Sequence, residues 1–230
     1  MKKQAFGVIL ILCLLVSLAS CAKERYDLLY SVSQEDLTYS VRGSGTRPRQ
    51  ITVKRGDDLI WSTNVKVSKS LGAWDNAYGL QVVDLNFDGA LDIMIPTDKD
   101  GDRVSYVCWL KDAKGDGYTR SSALSKLYNV HVDTERLAIF GFSHSFLREE
   151  QPEGPDYTVS TDTTTKYVWR DGELIPQIRA SISYYALTDI YCYSVSYYDP
   201  AEKAFNDPDD RWLTPEEYSE TDFGFLYYFK

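Results

Sequence analysis

Residues 84–92 read Asp-Leu-Asn-Phe-Asp-Gly-Ala-Leu-Asp and offer the chemistry of a metal-binding loop. Oxygen-bearing side chains fall at Asp84, Asn86, Asp88 and Asp92, with Gly89 directly after the third. Ca²⁺ is a hard cation that takes six to eight oxygens, and alternate acidic side chains around a glycine turn supply them at low strain. The spacing fills positions one, three, five and nine of an EF-hand-type loop, and the carbonyl of Ala90 would supply position seven. Position twelve is Ile95, where an EF-hand has a bidentate Glu. The same residue types also favour turns that hold no metal.

The flanks decide the context. Leu80-Gln81-Val82-Val83 leads in and Leu91-Asp92-Ile93-Met94-Ile95-Pro96 leads out. Both runs are short, apolar and β-branched, too short for the paired helices of an EF-hand. The spacing therefore predicts strand, calcium loop, strand, with Pro96 ending the second strand.

The remaining strands follow from the same pattern. Short alternating runs at Tyr26–Val32, Leu37–Val41, Gln50–Lys54 and Leu59–Val67 are separated by Gly43-Ser44-Gly45 and Arg55-Gly56-Asp57-Asp58. Ser105–Lys111 and Tyr118–Ser121 flank a turn at 112–117, and Ser122–Asn129 is predicted as a short helix. Further strands are predicted at Val130–Val132, Leu137–His144, Tyr157–Ser160, Lys166–Trp169, Glu173–Ile178, Ser181–Tyr185, Ile190–Tyr198 and Phe223–Phe229. Asp171-Gly172 between two such runs signals a two-residue hairpin. Thr214-Pro215-Glu216-Glu217 predicts a helix start, with a capping threonine, proline at the first helical position and glutamate at the third. The prediction is an all-β fold, a mostly antiparallel meander or two-sheet domain with one or two short helices. It spans residues 26–230 as a single domain.

The first residues are a targeting segment. Lys2 and Lys3 precede an apolar run from Phe6 to Val16, which is too short for a comfortable membrane span. Leu18-Ala19-Ser20-Cys21 then resembles a bacterial lipobox. That resemblance implies a signal peptide over residues 1–20, cleavage before Cys21, lipid on its thiol and a tether at 21–25. Several acyl chains on one residue anchor a chain to a bilayer stably. Ala22 after the cysteine implies the outer membrane, with the domain on its periplasmic or surface-exposed face.

Composition narrows the partners. Of the whole chain, 25 residues are Lys or Arg and 34 are Asp or Glu, a net charge of −9. Losing Lys2 and Lys3 with the signal brings the mature chain to about −11. That surface argues against nucleic acid and suits Ca²⁺ or a basic protein. Cys13 leaves with the signal, so Cys108 and Cys192 remain. A disulfide between them would close a long loop and contribute about 2–4 kcal/mol outside the cytoplasm. Two buried free thiols are the alternative.

A family resemblance runs from the 84–92 loop to the hairpin at 172. Val82-Val83-Asp84-Leu85-Asn86-Phe87-Asp88-Gly89 with Leu91-Asp92-Ile93 resembles the single-loop relatives of FG-GAP/VCBS-type proteins. Trp109-Leu110-Lys111-Asp112 with Gly115, and Tyr167-Val168-Trp169 with Gly172-Glu173-Leu174, are similar to hairpins that follow in that group. The chain is also similar to periplasmic immunity lipoproteins that accompany lysozyme-like toxins of type IV secretion systems. The resemblance implies a calcium-stabilised β-module with Asp84, Asn86, Asp88 and Asp92 as ligands. It further implies an inhibitor of a muramidase-type enzyme. No inhibitory loop motif is matched.

Catalytic patterns are lacking. No Gly-x-Ser-x-Gly elbow, Walker loop or dinucleotide fingerprint occurs. The two histidines, His131 and His144, lie in strand-like runs and are short of a zinc set. Asp98-Lys99-Asp100-Gly101-Asp102 is a second acidic cluster that reads as a turn. The expectation is a non-enzymatic calcium-binding lipoprotein, with cell-surface glycan binding through exposed Tyr and Trp as the alternative function.

Overall fold

The computed structural model describes residues 26–71, 79–149 and 157–221. Three antiparallel sheets follow one another along the chain. The first is a meander of β1 (Asp27–Gln34), β2 (Leu37–Ser44), β3 (Arg47–Arg55) and β4 (Asp58–Asn64). The middle sheet contains β5 (Gln81–Val83), β6 (Asp92–Asp100), β7 (Arg103–Lys111) and β8 (Tyr118–Ser121). The third contains β9 (His131–Asp133), β10 (Ala138–Glu149), β11 (Tyr157–Arg170), β12 (Glu173–Tyr185), β13 (Ile190–Asp199), β14 (Ala204–Phe205) and β15 (Asp209–Leu213). A short helix, α1 (Pro215–Glu220), closes the described chain. The all-β, antiparallel prediction holds, with three sheets in place of one or two.

The sheets form a stack because β6 and β7 are apolar on both faces. Successive strand residues point to opposite faces. Ile93, Ile95 and Trp109 therefore pack with Tyr39, Val41, Ile51 and Val53 of the first sheet. Met94 and Cys108, on the other face, pack with Leu85, Leu124, Val130 and Ile139 toward the third sheet. Aromatic side chains fill the first seam. Trp61 meets Trp109 edge-on at 6.0 Å between ring centroids, and the Tyr118 hydroxyl donates to that of Tyr39 at 3.2 Å. At the rim, Arg55 spans the same two sheets by bonding Asp36 and Asp116.

Local signals account for the turns. Asp171 and Gly172 both have positive φ, the backbone of the tight hairpin that Asp-Gly favours. Thr214 caps α1, accepting from the Glu217 N–H, while the Glu217 carboxylate accepts from the Thr214 N–H. The Arg55-Gly56-Asp57 run is the β3–β4 turn.

Several boundaries differ from the prediction. β6 continues through Pro96 to Asp100, because Pro96 lies beyond the end of β5 and a bulge follows it. The 122–129 helix shrinks to a single 3-10 turn, Leu124–Lys126. β11 is one strand where two were predicted, because its polar centre at 161–165 is mostly β-branched threonine. β12 likewise runs unbroken through Arg179 and Ala180. The lipobox with Cys21 and the 223–229 run lie outside the described residues.

The cysteines settle on the alternative reading. Cys108 and Cys192 are free, buried thiols in different sheets, so the candidate disulfide between them is not formed. Burial, and then the charge of Asp92, push the Cys108 thiol up to about 12, which keeps it an inert packing group.

Gly43 is a close approach between strands. A Cβ there would stand 1.9 Å from the Arg47 carbonyl oxygen and 2.6 Å from Leu29 Cδ1. Gly43→Ala is expected to destabilise by about 3 kcal/mol, since the Arg47 backbone carbonyl would have to shift. Urea melts check this, with Gly45→Asn as a control in open space.

Candidate metal centre

Residues 84–91 form an irregular loop between β5 and β6, as the spacing predicts, and Asp92 opens β6. Phe87 and Gly89 have φ of 60° and 88°, so the chain coils tightly between the aspartates. The Asp84 carboxylate organises the coil. Its Oδ1 accepts from the Asp88 N–H at 3.2 Å and its Oδ2 from the Gly89 N–H at 2.8 Å. Asp88 Oδ1 accepts from the Ala90 N–H at 2.8 Å, and Asn86 Oδ1 from the Asp88 N–H at 3.3 Å. The Asn86 amide also donates to Asp88 Oδ2 at 2.9 Å. Asp84, Asn86 and Asp88 are thus held against one turn of backbone.

Asp92 sits differently. It is 0% exposed, at the first position of β6. Its Oδ2 accepts from the Leu85 N–H and its Oδ1 from the Lys111 N–H, both at 2.7 Å. One carboxylate therefore joins the loop, β6 and the end of β7. Burial pushes its pKa from 3.8 to about 6; the two N–H donors oppose that rise, and the charges of Asp88 and Asp84 add to it.

The third sheet reaches the loop as well. Trp169 Nε1 on β11 donates to the Leu85 carbonyl at 2.7 Å. Leu85 is fully buried, and Phe87, Trp169 and Leu174 pack in the same cluster. Sequence reasoning missed this contact. The two residues are far apart in the chain, and nothing local to either marks the other.

The donors suit a hard cation. All are oxygens, and no Lys or Arg among the described residues forms an ion pair with Asp84, Asp88 or Asp92. An oxygen that accepts one N–H retains a second lone pair for a metal. Among the described residues, no three His, Cys, Asp or Glu side chains surround a common point at metal-holding distance. The fit is therefore one of donor type and charge. The second acidic cluster, at 98–102, forms the β6–β7 hairpin at the far end of β6. Six residue steps of strand, roughly 20 Å, separate even its first residue, Asp98, from Asp92, too far to lend a ligand.

The histidines serve the third sheet. His144 Nδ1 donates to Asp162 Oδ1 across the β10–β11 pair at 2.7 Å, and the His131 ring lies 6.4 Å from that of Phe140. Ser143 and His144, adjacent on β10, alternate in direction and form no dyad.

No family model and no curated protein matches the chain. One solved structure is similar to it, described as "Structure of a Xanthomonas Type IV Secretion System related protein". The identity is 14%, the match covers 80% of this chain and 97% of that one, and the TM-score is 0.47.

Two predictions follow from the geometry. Trp169→Phe removes the donor to Leu85 and is expected to cost about 1–2 kcal/mol in thermal or urea unfolding. The second concerns pH in the presence of chelator. The folded chain retains the Asp92 proton to higher pH than the unfolded chain, so stability falls as pH rises from about 4 to about 6. A shift of that size corresponds to about 3 kcal/mol, and the loss persists above the window. Urea titrations of wild type and Asp92→Asn across the window check this: the variant is expected to lack that slope.

Proposed function

We propose that this chain is a non-enzymatic, calcium-stabilised β-module, carried on an outer-membrane lipid anchor at Cys21. We further propose that it binds and blocks a lysozyme-like peptidoglycan hydrolase. The observation that carries the calcium reading is electrostatic. Asp84 and Asp88 lie close enough to raise the cost of ionising Asp92, and no Lys or Arg among the described residues forms an ion pair with any of the three. The side chains of Asp84, Asn86, Asp88 and Asp92, with the Ala90 carbonyl, would hold the ion. It would supply the missing positive charge and lock the turn at the head of β6.

The partner reading rests on the acidic surface and on the loop and hairpin motifs that resemble immunity lipoproteins. Muramidases of the lysozyme type are basic, and opposite net charges favour fast, salt-sensitive association. The alternative is glycan binding. Tyr197 and Trp212, both more than half exposed on the third sheet, favour it, since a flat ring with a polar edge suits a sugar face.

Calcium is expected to raise the melting temperature of the wild-type chain, and Asp84→Ala with Asp88→Ala to abolish the rise. Melting curves with calcium and with chelator decide this, and coincident wild-type curves would contradict it. For the partner, turbidity assays on a lysozyme panel are expected to show inhibition at micromolar protein. A silent panel together with specific hits on a glycan array would favour the alternative.

A further inference from the structure

A second site lies on the third sheet, away from the calcium loop. Strand register builds it. His131 on β9 stands opposite Phe140 on β10, and Phe142, two residues on and on the same face, stands opposite Thr164 on β11. These four residues and Asn129 line a half-open cavity of about 240 Å³. The position opposite Thr164 on β12 is Ala180, between the larger Ile178 and Ile182 on the same strand face.

The polar atoms of the lining are unequal. The Asn129 side chain is committed: its carbonyl oxygen accepts from the Val104 N–H, and its amide donates to the Asp102 and Phe142 carbonyls. Thr164 is 0% exposed, and its hydroxyl has no hydrogen-bond partner among the described residues. A buried hydroxyl left without a partner costs about 1–3 kcal/mol, so a native site that keeps one invites a group to meet it. Among the described residues the lining contains no Asp, Glu, Lys or Arg, which disfavours a charged occupant. Aromatic walls around a single hydroxyl match a flat, neutral molecule with one polar substituent.

We propose that this cavity binds a small, neutral, free aromatic molecule bearing one hydrogen-bonding group, which Thr164 Oγ1 recognises. The test uses the full chain and two probes that differ by one hydroxyl, p-cresol and toluene, titrated by NMR chemical shift. Wild type is expected to bind p-cresol about tenfold more tightly than toluene, the ratio that one hydrogen bond of typical strength supplies. Thr164→Val, isosteric but without the hydroxyl, is expected to bind both equally. Thr164→Ser, which keeps the hydroxyl, is expected to retain the preference and serves as the reading should the valine variant fail to fold. Calcium-dependent melting of wild type and of each variant is expected to be unaffected, which separates this site from the loop. Absence of shifts with either probe at millimolar concentration would overturn the proposal. So would equal binding of the two probes by wild type, which would mean that the hydroxyl is met by water alone.

Discussion

The structure depends on how one buried carboxylate is accommodated. Asp92 is enclosed where the middle sheet meets the third, and its two oxygens take the backbone N–H groups of Leu85 and Lys111. Those two bonds join the incoming loop to the far end of β7. They oppose the desolvation of a charge but do not cancel it, and Asp84 and Asp88 add repulsion from the loop side. A buried charge without a counter-charge is among the most expensive features a small domain can keep. The proposed calcium ion removes that cost at its source. The loop would then be a clamp on the sheet stack, with a structural role more than a signalling one.

The stack explains why the clamp sits where it does. The middle sheet is the layer both neighbours share, with Ile93 and Trp109 facing one way and Met94 and Cys108 the other. Asp92 begins its central strand, and Trp169 from the third sheet holds the Leu85 carbonyl beside it. A disturbance of the loop therefore reaches the β6–β7 ladder and the β11–β12 hairpin together. The first sheet is further removed. It is fastened through the Tyr39, Trp61, Trp109 and Tyr118 rings and through Arg55.

Much of this was legible in the residues, and the limits have physical causes. Strand alternation, the Asp171-Gly172 turn and the Thr214 capping box are local effects, and each appears where its signal lies. The loop between β5 and β6 was likewise read from spacing alone. Strand ends were read less well where side-chain type misleads. Pro96 reads as a stop, but proline is tolerated where β6 has lost its β5 neighbour. The threonine run at 161–165 looked like a break because it is polar, although it forms the middle of a long strand. Non-local contacts had no signal at all. The Trp169–Leu85 bond, the double capture of Asp92 and the cavity around Thr164 arise from register between strands distant in sequence. The separation of Cys108 from Cys192 is of the same kind.

A clamp at this loop requires an ion in it, so binding of the ion itself is the decisive quantity. Titrating calcium into chelator-stripped full chain by isothermal calorimetry measures it directly. One ion per chain, with binding lost on Asp84→Ala and Asp88→Ala, is the expected result. Absence of binding heat at millimolar calcium, or binding unchanged in that variant, would contradict a calcium clamp at residues 84–92.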